Sequence, residues 1–193
     1  MFNIIINECP GIVEISGHSF KISTDFKVIL KILNILEETE DKDRAGKTAL
    51  RLFYGNNMPD DVETAILAFL EFVSNKSEPE EPKETEASPE EERIFDMLFD
   101  SNYIYAAFLQ NYGIDLIDTK MHWWKFKTLV EGLPSNTKLS DIIQIRGQEL
   151  PKDSKQRAQM NRLKEAYKLP GKDKQDEQIA ENTINSLFAW AKS

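Results

Sequence analysis

Chemistry in this chain would have to come from two histidines, His18 and His122, one cysteine, Cys9, and a surplus of carboxylates. The histidines lie far apart in sequence, and Cys9 has no partner at a metal-ligand spacing. His122 as a general base needs a nucleophile or a carboxylate that the sequence does not place next to it, so it reads as a partly buried structural residue. The eight glycines are scattered singly and form no phosphate-binding loop. Carboxylates concentrate in residues 75–92, where no regular element would hold them in catalytic geometry. The expectation is a binding protein: not an enzyme, with no catalytic residue, no metal and no cofactor.

The elements that would position a binding surface can be read along the chain. Residues 12–22 alternate and break at Ser16-Gly17, which predicts a β-hairpin burying Ile12 or Val13, Ile15, Phe20 and Ile22. Such a hairpin is marginal alone and must lie on helices or join another sheet edge. Ser23, Thr24 or Asp25 can cap a helix over 25–38, whose wide apolar face comprises Phe26, Ile29, Leu30, Ile32, Leu33 and Leu36. A second helix is predicted over 41–53, with Ala45, Ala49, Leu52 and Phe53 inward. A third starts at 59–61 and runs to 74, with Val62, Ala65, Ile66, Phe69 and Val73 at helical spacing.

Composition then changes. Residues 78–92 carry eight acids and one base, and 75–92 hold three prolines and no aromatic, so this stretch reads as a flexible acidic linker. An acidic lure for a basic partner is the sharper alternative. Beyond it come an apolar segment at 94–99, a helix over 102–112 burying Ile104, Ala107 and Phe108, and a stop at Gly113. Asp118 or Thr119 can cap a helix over 120–132. A short helix bearing Leu139, Ile142 and Ile143 follows, then one over 152–168 with a thin seam of Met160, Leu163 and Tyr167. Residues 173–191 are amphipathic. The expected architecture is mainly α (α+β with a small N-terminal hairpin): two helical lobes, 1–74 and 93–170, joined by the linker 75–92, with a C-terminal helix or tail over 171–193.

Net charge is −9, with 10 bases against 20 acids in residues 1–93 and 14 against 13 thereafter. That balance argues against nucleic acid as a partner, which requires clustered Lys and Arg. The helix over 152–168 carries six bases and two acids. A solvated face comes first among its readings, docking on an acidic protein surface second, and nucleic acid, through Arg157 and Arg162, third. A single cysteine fits a reducing compartment. The N-terminus lacks a secretory pattern, and no apolar run approaches the ~18 residues of a membrane span.

The aromatic stretch 102–134 offers the best partner-binding candidates: Tyr103, Trp123, Trp124, Phe126 and Lys127. At about 100° per residue, Phe126, Leu129, Val130, Leu133 and His122 share one helix face, with Trp123 on its edge. Trp124 points almost opposite, among Lys127, Thr128 and Glu131. Either a second segment of the chain covers it, or it is exposed as an anchor for a partner.

YIYAAFLQNYGIDL (103–116), HWWKFKTLVEGLP (122–134), Ile145-Arg146, the opening with Gly17 and ISTDFK (22–27), and the closing AYKLP (166–170) carry a resemblance. Over roughly residues 12–170 the chain resembles the phage family named after gene product fifteen of siphophages of Gram-positive hosts; residues 173–193 lie outside it. Members are typically encoded between the major tail protein and the tape-measure protein of long non-contractile tails. The resemblance implies a tail assembly chaperone in the bacterial host cytoplasm. Its partners would be the tape-measure protein and tail-tube subunits, with a second tail assembly chaperone or self-association as further options. A structural tail component retained in the virion and a nucleic-acid-binding regulator are the alternatives.

Overall fold

A computed structural model describes residues 3–74 and 93–170 of the chain. Two strands, β1 (Ile12–Ile15) and β2 (His18–Lys21), precede α1 (Phe26–Glu38), α2 (Lys42–Tyr54) and α3 (Val62–Ser74). After residue 93 follow α4 (Ser101–Tyr112), α5 (Trp123–Glu131), α6 (Lys138–Gly147) and α7 (Ser154–Ala166). The chain is mainly α with one small antiparallel hairpin. The expected linker 75–92 and the expected amphipathic segment 173–191 lie outside the described residues.

The hairpin closes through Ser16 and Gly17, both at positive φ (51° and 77°), the left-handed pair that a two-residue turn matched to strand twist requires. Pairing runs Ile15 with His18 and Val13 with Phe20. This register buries Ile15, leaves Val13 and Phe20 half-buried, and leaves Ile12 exposed. Gly17→Ala puts a Cβ at a left-handed position and is expected to cost about 1–2 kcal/mol. The check is a thermal melt, in which the midpoint falls by roughly 2–4 °C per kcal/mol for a chain of this size.

Helix starts follow side-chain capping. Asp25 accepts from the Lys27 amide, Asp41 from Arg44, Thr137 from Ser140, and Asp153 from both Lys155 and Gln156. Asp61 accepts from the Thr64 amide at 3.1 Å and its hydroxyl at 2.7 Å. The Thr64 contacts, with a lesser one from Ser16, hold the Asp61 carboxyl below its ordinary range. This cap places the start of α3 at Val62 rather than at 59–61.

The chain forms two compact units. The first joins the described residues 3–74 to Lys120–Thr128; the second joins 93–119 to 129–170. The cut expected after residue 92 therefore misassigns 120–128, because the chain returns there to the first unit.

In the first unit, α1 supplies Phe26, Ile29 and Ile32, α2 supplies Ala49, Leu50 and Phe53, and α3 supplies Ala65, Ile66, Phe69 and Phe72. Leu30, Leu33 and Leu36, expected on the buried face of α1, are only half-buried. Phe53 sits among aromatic rings, edge-on to Phe69 at 5.1 Å and tilted on Phe72 at 5.3 Å. The Tyr54 hydroxyl donates to the Ala65 carbonyl at 2.8 Å, and burial pushes its pKa far above the ordinary phenol value. Ser23 donates through its amide to Phe53 O and through its hydroxyl to Leu52 O, both at 2.7 Å. It thereby closes two of the carbonyls that the end of α2 leaves open.

In the second unit, Ile104, Ala107 and Phe108 of α4 and Leu139 and Ile142 of α6 form the apolar centre. The segment preceding α4 is a turn, with the Asp96 carboxylate accepting from the Leu98 and Phe99 amides at 2.9 and 2.7 Å. No residue of α7 is buried, in keeping with its thin seam.

Candidate functional site

The Trp pair lies where the first unit closes on itself. Predicted over 120–132, α5 begins only at Trp123, because residues 121–122 pair with the stretch before α1. Asp25 and His122 form an isolated antiparallel bridge, the Phe26 amide donates to Met121 O at 3.0 Å, and the Trp123 amide donates to Thr24 O at 2.7 Å. Neither Asp118 nor Thr119 is the cap. His122 takes that place, its Nδ1 lying 3.1 Å from the Trp124 amide.

Three donors from α5 then converge on the end of α3. Trp123 Nε1 donates to Val73 O at 2.9 Å, Trp124 Nε1 to Phe72 O at 2.7 Å, and Lys127 Nζ to Ser74 O at 2.8 Å. The last four carbonyls of a helix have no partner within it, and a cation near them also meets the negative end of the helix dipole. The Trp-Trp-x-x-Lys spacing thus serves as a cap supplied from a distant part of the chain. The indoles diverge around α5, yet both N–H groups reach the same helix end. Trp124 also stacks on Phe72, centroids 5.6 Å apart, so a second segment covers it. Trp123 is 2% exposed and Phe126 is 1% exposed, the latter stacked on Phe26 at 4.5 Å.

The partner-binding candidates are therefore divided. Trp123, Trp124, Phe126 and Lys127 hold internal contacts in the first unit. Tyr103 is half-buried in α4. Arg157 and Arg162 are exposed on α7.

Residue-level reading missed the polar centre of the second unit. Arg146, at the end of α6, donates Nη1 to Asp100 Oδ2 at 2.7 Å and Nη2 to Asp100 Oδ1 at 2.8 Å. Its Nε donates to Tyr167 O at 2.6 Å, and Nη1 also reaches Ile94 O at 3.1 Å. Asp100 is fully buried and accepts from the Asp96 amide as well. One guanidinium so joins the turn before α4, the end of α6 and the end of α7. The signal was present: Leu139, Ile142 and Arg146 fall at spacings of three and four, which places an arginine on the buried stripe of α6.

An open cleft of about 570 Å³ lies beside the hairpin, lined by Ser16, His18, Phe20, Asn57, Asp60 and Asp61 among others. His18 has its Nδ1 3.1 Å from Ser16 O, and Asp61 is engaged as the cap of α3. Among the described residues there is no group of three or more His, Cys, Asp or Glu able to hold a metal ion. Nor is any described helix long and apolar enough to cross a membrane.

Exposed apolar side chains complete the accessible surface. Ile5, Ile6 and Leu67 are exposed in the first unit, and Phe99, Leu109 and Ile117 in the second.

A family model described as "Bacteriophage Gp15 protein" matches residues 5–169 of the chain. Neither the curated proteins nor the solved structures contain a match.

Proposed function

The chain belongs to the bacteriophage Gp15 protein family, and from that premise we propose that it is a tail assembly chaperone. In this reading it binds the tape-measure protein, tail-tube subunits or both while a long non-contractile tail is built, in the host cytoplasm. Family membership over residues 5–169 is the observation that carries the proposal. The support is the tail-module gene position that the resemblance implies.

The accessible chemistry suits binding rather than catalysis. Exposed apolar residues such as Phe99, Leu109 and Ile117 offer contact area for apolar helices of a partner. The bases of α7 offer electrostatic steering towards an acidic one.

Two measurements test the reading. The tagged chain, expressed from the phage in infected cells, should co-purify with tape-measure or tail-tube protein and be scarce in purified particles. Abundant copies in particles, counted by mass spectrometry, would replace the chaperone with a structural tail component. The double variant Arg157→Glu/Arg162→Glu should leave the helical circular dichroism unchanged, since both side chains are exposed. Its recovery of the partner should fall about ten-fold or more, as expected when rim charges of opposite sign are reversed. Unchanged recovery would remove α7 from the proposed interface.

A further inference from the structure

His122 makes two hydrogen bonds at once, and together they define its protonation. Nε2 lies 3.0 Å from Pro10 O, a carbonyl that can only accept. Nδ1 lies 3.1 Å from the Trp124 amide, which can only donate. Both bonds exist together in one form alone: the neutral imidazole with its hydrogen on Nε2. In the imidazolium Nδ1 carries a hydrogen and opposes the Trp124 N–H, donor against donor. The added charge would also sit at the N-terminus of α5, where the helix dipole is already positive.

The surroundings disfavour that charge. Lys125, on the same helix, adds positive potential, and Lys127 two residues further is held on Ser74 O. From α3 the ring of Phe72 packs against the imidazole at 5.6 Å, and Trp124 lies edge-on at 5.9 Å. Asp25, across the backbone bridge, directs its carboxylate to the Lys27 amide at 2.9 Å. Pro10 offers its carbonyl, which serves either protonation state.

We propose that His122 is a proton-operated latch. Neutral, it caps α5 and ties the Pro10 segment to it; protonated, it gives up the cap and frees the first turn of α5, whose indoles close the end of α3. Burial, ahead of the opposing pull of the Pro10 carbonyl, sets its pKa below the ordinary imidazole value. The sign follows. The stability His122 contributes is complete above about pH 6.5 and is lost as pH falls through its lower folded value. The latch is closed at neutral pH and opens on acidification.

The test uses the full-length ¹⁵N-labelled chain, titrated from pH 8 to pH 5. Long-range imidazole spectra should show His122 Nδ1 unprotonated and Nε2 protonated at pH 7.5, with a transition below about 6.5. Between about pH 6.5 and that transition the exchange protection factor of the Trp124 amide should fall as pH falls, by up to about ten-fold per pH unit, and level off below it, while that of Ile142 in the second unit stays level. His122→Asn supplies a capping oxygen that does not titrate, so Trp124 protection in that variant should be independent of pH. A hydrogen on Nδ1 at pH 7.5, Trp124 protection that ignores the His122 transition, or a pH step persisting in His122→Asn would each overturn the latch. If His122→Asn does not fold, the tautomer and exchange data of the unsubstituted chain decide the matter.

Discussion

Arg146→Ala is expected to destabilise the second unit by about 3–5 kcal/mol, the cost of leaving a buried charge without its partner. Asp100 has no solvent to turn to: it is 0% exposed, and the two bonds from Arg146 are its side-chain partners from another helix. The variant also strands the Tyr167 and Ile94 carbonyls, which Arg146 now satisfies at 2.6 and 3.1 Å. Urea unfolding followed through amides of α4 and α6 gives the measurement. With a slope near 2 kcal/mol per molar urea, the midpoint should drop by about 2 M. Arg146→Lys keeps the charge but not the fork, so it should recover only part of the loss. Removing both charges in Asp100→Leu/Arg146→Met should cost less than Arg146→Ala alone, because no uncompensated ion remains. A double variant worse than the single one would contradict this account of the pair.

The second large effect concerns the indoles. Trp123→Ala should cost about 3–5 kcal/mol, as for other fully buried large aromatics. Trp124→Ala should cost less, about 2 kcal/mol, since the ring is half-buried and its loss removes a stack and one hydrogen bond. Both losses should appear in the isolated chain, with no partner added, as lowered melting temperature. Trp123→Phe separates the two contributions: it keeps most of the apolar contact and removes only the bond to Val73 O, at about 1–3 kcal/mol. A Trp124→Ala chain as stable as the original but deficient in partner capture would mean that the indole serves a partner after all.

Much of the fold was legible. The hairpin turn, the cap at Asp25 and the stop at Gly113 are all short-range features, and each lies where side-chain chemistry and spacing put it. Three misreadings share one cause. Helical periodicity extended α5 back to 120, but backbone pairing of His122 with Asp25, nearly a hundred residues earlier, holds that stretch extended. Helical spacing on α3 selects Val73 rather than Phe72, whose burial depends on Phe53 and Trp124 from other helices. Arg146 fell on a buried stripe but reads as a surface residue until a carboxylate 46 positions away is placed against it.

The candidate site divides along the same line. Exposure of Arg157 and Arg162 follows from the polar composition of α7 and needed no tertiary information. The two tryptophans did need it. Their spacing established by itself that one apolar face could not hold both, which left a covered and an exposed reading standing. Only the tertiary structure chose between them, because the carbonyls that accept the two indole N–H groups lie 50 and 52 residues away at the end of α3. A helix end left open by its own geometry must find donors somewhere, and no local pattern can say which distant segment will bring them.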